Sequence, residues 1–153
     1  MTDTCFVDTN VLLYFHDASE PSKQATAARW LTALWQTRTG RLSYQVLGEF
    51  YTVATRKLDP GLPRNTARAA VRSLLAWKPY VTDAPTVEAA WSVQDHFGFS
   101  WWDALIVAAA RRGGCRYLLT EDLSDGQQIE SLLVVNPFLK GPEEILNPNT
   151  LPT

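Results

Sequence analysis

The stretch Cys5-Phe6-Val7-Asp8-Thr9-Asn10-Val11-Leu12-Leu13-Tyr14-Phe15 decides the fold. Its first three residues form a short apolar run, partly β-branched, that stops at Asp8-Thr9-Asn10 before apolar residues resume at Val11. This reads as strand, turn and helix, with a carboxylate directly after the strand. Two later runs, Tyr117-Leu118-Leu119-Thr120 and Leu132-Leu133-Val134-Val135, have the continuous apolar character of strands in a parallel sheet covered on both faces. Tyr80-Val81 is a further, brief strand candidate.

Helices fill the intervals. Ala27, Leu31, Leu34 and Trp35 predict one over 22–36, and Ser43 caps a second that carries Val46, Leu47, Phe50, Val53 and Ala54 on one face. The cluster Asp59-Pro60-Gly61-Leu62-Pro63 ends it. Ala67, Ala70, Val71, Leu74 and Leu75 follow the helical template in full, residues 85–97 form another helix, and Ser100 caps an apolar helix over 101–112 that Gly113-Gly114 terminates. Strand and helix alternate, so the expectation is an α/β fold with a central parallel sheet. After Val135 come Pro137, Pro142, Pro148 and Pro152, too closely spaced for regular structure. The chain is therefore divided into a domain over 1–136 and a Pro-rich tail over 137–153 that wraps the surface or frays.

The chain has 153 residues, 46% hydrophobic and 20% charged, with formal net charge -2. Such a chain buries roughly 68–70% of its unfolded surface, enough for a single core without disulfides. The longest apolar run, Ala104 to Ala110, is far below the roughly 20 residues of a bilayer-crossing helix. Asp3, Asp8 and Asn10 do not suit a signal peptide, so a cytoplasmic location is expected. Cys5 and Cys115 then read as small buried hydrophobes, and with only His16 and His96 a tetrahedral zinc site has little support.

The position of the acids matters more than their number. Asp8 reads as an N-cap of the first helix, Ser100-x-x-Asp103 as a capping box, and Asp122 as an Asx-turn residue in Thr120-Glu121-Asp122-Leu123-Ser124-Asp125-Gly126. Each local explanation suffices alone. Glu49, however, falls about 40° beyond Val53 at 100° per residue, on the margin of its helix's apolar face. Asp8 and Asp122 both follow parallel strands, at the edge where open α/β sheets place their ligand crevices. If Asp8, Glu49, Asp103 and Asp122 converge, their mutual repulsion is relieved by raised pKa values or by a cation. Carboxylates without imidazole or thiolate suit a hard ion, Mg²⁺ or Mn²⁺. No Ser-His-Asp or Cys-His set stands near these strand ends, and neither a phosphate-binding Gly-x-x-x-x-Gly-Lys loop nor a dinucleotide fingerprint occurs. Metal-assisted phosphoryl cleavage is the reaction class that remains.

The blocks Phe6-Val7-Asp8-Thr9-Asn10-Val11-Leu12, Ser43-x-x-Val46-Leu47-x-Glu49-Phe50-Tyr51, Ser100-Trp101-Trp102-Asp103-Ala104-Leu105-Ile106 and Leu118-Leu119-Thr120-Glu121-Asp122-Leu123 with Gly126-Gln127 resemble, in order and spacing, the PIN domain (PilT N-terminus). The resemblance covers about residues 5–136 and is closest to VapC-like toxins of type II toxin–antitoxin systems. It implies a three-layer α/β/α sandwich around a parallel sheet, Mg²⁺-dependent endoribonuclease activity with Mn²⁺ as a substitute, and inhibition by a cognate antitoxin protein. It also implies an acidic quartet of Asp8, Glu49, Asp103 and Asp122. Asp8 and Asp103 would be the most direct metal ligands, and Asp125 would assist through water. Asn10 and Thr120 would hold the acids or a scissile phosphate, Thr9 would supply a hydroxyl capping the first helix, and Ser100 would support Asp103.

A phosphatase of the haloacid dehalogenase type would carry a second Asp where Asn10 stands, and a receiver domain would need an acid pair after the first strand and a lysine after a late one. The remaining alternatives are a PIN-like RNA-processing nuclease that is not a toxin, or a module that binds RNA or protein without cutting. An RNA substrate calls for local positive charge, for which Arg38, Arg41, Arg56, Lys57, Arg64, Arg68 and Arg72 are candidates. Arg64, Arg68 and Arg72 line one side of a helix, which a merely solvated face would also explain. Trp30, Trp35, Phe50 and Tyr51 exceed what one small core readily hides, so a homodimer or antitoxin groove is expected on the two helices that carry them. Setting the four site acids aside leaves twelve acids against fourteen bases, a mildly basic remainder.

Overall fold

The computed structural model describes residues 3–146. Strand β1 (Cys5–Val7) is fully buried and leads through Asp8 into helix α1 (Thr9–Phe15). There follow α2 (Pro21–Thr37), the two-residue strand β2 (Gly40–Arg41), α3 (Tyr44–Arg56), α4 (Arg64–Leu74), α5 (Ala84–Phe97) and α6 (Trp101–Arg112). Then come β3 (Tyr117–Leu119), β4 (Gln128–Ile129), β5 (Leu132–Val135) and a short 3₁₀ turn at Pro142–Glu144. The five strands form one sheet in the order β2-β1-β3-β5-β4, parallel except for β4, which runs antiparallel to β5. The helices flank this central sheet as the outer layers of an α/β/α fold. Among them, α1 packs on α2 and α3, α4 packs on α3, and α5 and α6 pack on each other.

The local signals behave as their chemistry dictates. Ser43 caps α3 by accepting the Val46 N–H at 3.3 Å, and Ser100 caps α6 by accepting that of Asp103 at 3.2 Å. Helix α6 occupies the predicted residues, and its run Ala104–Ala110 is buried throughout while Trp102 projects to solvent. A side chain at Gly113 would collide with the ring of Tyr80, whose hydroxyl donates to the Gly113 carbonyl, and Gly114 adopts a positive φ of 71°. Cys5 and Cys115 are buried and unpaired.

Three expectations change. Tyr80-Val81 is not a strand of the sheet: Tyr80 forms a single bridge to Ser43, and Val81 is exposed. Strands β2 and β4 have no counterpart in the sequence reading, because two residues are too few to show a period. The aromatic residues do not all need a partner either. Trp30 and Phe50 are completely buried, whereas Trp35 is 42% exposed. Trp30 reaches past α2 into the C-terminal segment, where its indole N–H donates to the carbonyls of Pro137 (2.9 Å) and Lys140 (3.0 Å). Leu146 is buried in the same core, so the segment beyond 136 packs as far as it is described; Pro148 and Pro152 lie outside the described residues.

Candidate active site

Register brings the first two acids together. Val7 of β1 lies opposite Leu119 of β3, so the next residues, Asp8 and Thr120, leave the sheet side by side, and the Asp8 N–H donates to the Leu119 carbonyl at 3.1 Å. Asp8 is the N-cap of α1 with extended backbone, 7% exposed. Its Oδ1 accepts the Thr9 N–H and its Oδ2 accepts the Thr120 hydroxyl, both at 2.7 Å. Capping and site roles thus coincide in one side chain. Burial raises the Asp8 pKa to about 6. The hydrogen bonds from Thr120 and Thr9 oppose that rise, while the charges of Asp122 and Asp103 add to it.

Thr120 has a second task, since its hydroxyl oxygen accepts the Asp122 N–H at 3.1 Å. The turn after β3 is therefore closed by a threonine hydroxyl rather than by an Asx-turn at Asp122. The Asp122 carboxylate is approached by Asn10 Nδ2 at 3.3 and 3.4 Å. Its pKa is raised by desolvation first, then by the charges of Asp103 and Glu121. Asp103 sits in the first turn of α6, half-buried, its field felt by both other aspartates.

Glu49 joins through Thr9. The Thr9 hydroxyl does not cap α1, as the family resemblance implied; Asp8 does that, and Thr9 Oγ1 donates instead to Glu49 Oε2 at 2.8 Å. Gln45, one turn earlier on α3, donates to the other carboxylate oxygen at 3.0 Å. Asp8, Thr9, Glu49, Thr120, Asn10 and Asp122 thus form one hydrogen-bonded chain across α1, α3 and the β3 end.

Asp125 stands apart from that chain. Its Oδ1 accepts the Asn136 N–H at 2.8 Å and its Oδ2 faces Lys140 at 3.4 Å, which together hold its pKa below the usual value. Arg64, Arg68 and Arg72 are exposed on α4, with Arg68 Nε donating to the Tyr51 hydroxyl at 3.3 Å. Sequence reasoning missed a neighbouring clamp. Tyr14 and Lys23 both reach Glu121, at 2.8 and 3.0 Å, and the Lys23 ammonium lies over the rings of Tyr14 and Phe138. The available signal is the i, i+4 spacing of Asn10 and Tyr14, which puts both on one side of α1 opposite the adjacent acids Asp122 and Glu121.

These residues fit a hard divalent cation. The donor set is carboxylate and hydroxyl oxygen, and Asp8 and Asp122 have pKa values raised by desolvation first and by neighbouring carboxylates second. Among the described residues no group of three or more His, Cys, Asp or Glu side chains stands together as a metal-holding set, so the four acids are not assembled into a ligand cluster. Mg²⁺ keeps several waters and is typically held by one or two carboxylates plus substrate phosphate.

No curated protein sequence matches the chain. In structure it is similar to the Mycobacterium tuberculosis toxin VapC20, described as cleaving the sarcin–ricin loop, with TM-score 0.59 and 25% identity over 78% of this chain and 90% of that one. It shares its fold with a toxin–antitoxin complex from Klebsiella pneumoniae, with TM-score 0.55 and 20% identity over 88% of this chain and 98% of that one. Residues 5–124, most of the chain, match the PIN domain, and the chain belongs to that family.

Proposed function

We propose that this protein is a divalent-metal-dependent endoribonuclease acting as the toxin of a type II toxin–antitoxin pair. The observation that carries the reading is Asp8, buried with both oxygens fixed by Thr9 and Thr120, beside Asp122 at the ends of adjacent parallel strands. Family membership and the likeness to VapC20 support the nuclease and toxin assignments.

Asp8 and Asp103 would hold Mg²⁺ or Mn²⁺ directly, with Glu49 and Asp122 completing the acidic set through water or the RNA phosphate. The bound ion would supply an activated water and neutralise charge on the phosphodiester. The chain's own work is positioning. Thr120 and the Thr9 N–H keep the Asp8 carboxylate from rotating, Thr9 Oγ1 aims Glu49, and Asn10 steadies Asp122. Asp125, committed to Asn136 and Lys140, serves by fixing the β3–β4 loop. The protein acts in the cytoplasm, as a homodimer, and its antitoxin presents an apolar segment to the recess of about 320 Å³ lined by Leu12, Phe15, Leu31, Trp35 and Phe50.

The test is cleavage of structured RNA by the purified chain. Mg²⁺ or Mn²⁺ supports cleavage, and EDTA and Asp8→Asn each abolish it. Cleavage without metal, or full activity in Asp8→Asn, overturns the assignment.

A further inference from the structure

A second recess lies at the end of β1 opposite Asp8. Gly40 of β2 pairs with Cys5, so this end of the sheet is where β1 begins, whereas Asp8 lies where β1 ends. The recess, about 670 Å³, is lined by Trp35, Trp77 and Tyr80 together with Arg38, Arg41 and Lys78. Trp77 is seated against Gly40, where any side chain would overlap its indole. The Trp35 and Trp77 rings lie 5.2 Å apart at 52°, and Trp35, which also borders the apolar recess beside Phe50, is 42% exposed, so one indole is braced by the other and remains partly open to solvent.

The charges here are one-sided. No acid lines the recess, and among the described residues none of Arg38, Arg41 and Lys78 belongs to an ion pair. Arg41 is oriented by donating to the Arg38 and Gly40 carbonyls, which leaves the charge of its guanidinium uncompensated.

The backbone supplies an independent sign. Arg38 ends α2 with φ 58°, and Lys78 ends the 3₁₀ turn at Leu75–Trp77 with φ 53°. These are two of the three non-glycine residues with positive φ among the described residues, and glycine is the residue that such positions favour. Strain of this kind collects where a side chain is needed for something other than the fold. Both side chains are long cations, and both flank the same recess.

We propose that Arg38, Arg41 and Lys78 with Trp35 and Trp77 form an anchoring site for single-stranded RNA, separate from the acidic site. The cations take backbone phosphates, and the exposed Trp35 indole stacks on a base. An acidic peptide would satisfy the cations but leave the indole face unused, so RNA is the better match. The inference deepens the ribonuclease reading: a strand held here is tethered while another part of the same RNA enters the acidic site, which lowers KM and leaves kcat to the acids.

The experiment measures fluorescence anisotropy of a labelled single-stranded oligouridine against the full chain in EDTA, where cleavage is silent, across a salt series. The double variant Arg38→Gly/Lys78→Gly relieves both positive-φ positions, so it keeps its Tm. It should lose affinity and reduce the slope of log K against log salt by about 1.4, two phosphate contacts' worth. Trp35→Ala should weaken binding roughly 5- to 150-fold with the slope unchanged, because stacking carries no charge. Unchanged affinity in the folded double variant, or competition by an acidic peptide as strong as by unlabelled RNA, overturns the proposal. A chain that binds in this way yet cuts no RNA with metal would instead overturn the nuclease reading and leave the anchoring site standing.

Discussion

The Thr120 hydroxyl donates to Asp8 Oδ2 at 2.7 Å while its oxygen accepts the Asp122 N–H at 3.1 Å. One small side chain therefore sets the position of two acids on different elements. Thr120→Val removes a hydrogen bond to a buried carboxylate, which is worth about 1.5–3 kcal/mol. Cleavage should fall roughly 10- to 100-fold, and the acidic limb of the pH–rate profile should move to higher pH as Asp8 loses the bond that favours its ionised form. Thr120→Ser should restore both readouts, and a valine variant with an unshifted profile would remove Thr120 from this role.

Metal-free stability should depend on pH through Asp8. Its folded pKa of about 6 exceeds the ordinary 3.8, so the folded state binds the proton more tightly than the unfolded chain. The stabilisation from the neutral carboxyl is complete below about pH 4 and is lost as pH rises through about 6. The loss is on the order of 3 kcal/mol, or roughly 6–12 °C in Tm for a chain of this size. Thermal melts in EDTA at pH 4.5 and 7.5 check it: Asp8→Asn should flatten the difference, and an equally steep fall in the variant would place the titration elsewhere.

Mg²⁺ should reverse that loss. The ion competes with protons for the same oxygens, so the rise in Tm on adding Mg²⁺ should be larger at pH 7.5 than at pH 5 and should vanish in Asp8→Asn. Melting curves at fixed Mg²⁺ decide it, with an equal rise at both pH values as the contrary result.

Asp103 and Ser100 should separate cap from site. Without metal, Asp103→Asn removes a like charge that presses on Asp8 and Asp122 and should leave Tm unchanged or raise it. Ser100→Ala deletes the acceptor for the Asp103 N–H and should cost about 1 kcal/mol. A large drop in Tm for Asp103→Asn in EDTA would make Asp103 primarily a capping residue.

Tyr14→Phe should loosen the turn after β3. The variant loses the 2.8 Å hydrogen bond to Glu121 and leaves Lys23, itself over a third exposed, to hold that carboxylate alone. A destabilisation of about 1 kcal/mol and faster amide exchange over 121–127 are expected. Exchange unchanged in that loop would show that Asn10 and Thr120 suffice.

Much of this was legible in the sequence because local chemistry and tertiary placement agree. Strand β1 with its following acid, the serine caps of α3 and α6, and the all-apolar face of α6 each carry their own signal. What escaped depends on partners that are distant in the chain. The clamp on Glu121 joins residues about a hundred positions apart, and β2 and β4 pair only because longer neighbours present open edges. Thr9 was placed on the right element with the wrong partner, since nothing in its neighbours announces that Glu49 on α3 arrives beside it. Four acids could be singled out; the hydroxyls that join three of them, Asp8, Glu49 and Asp122, into one network, with Asp103 outside it, could not.

The indole N–H of Trp30 finds its acceptors only at Pro137 and Lys140. On the ribosome, α2 therefore emerges more than a hundred residues before the carbonyls it needs. Until Lys140 leaves the exit tunnel, the largest fully buried side chain among the described residues holds a donor that must be satisfied by water, which favours leaving α2 undocked. Because α2 packs on α1, whose first residues position the acids, the active site is completed late in synthesis.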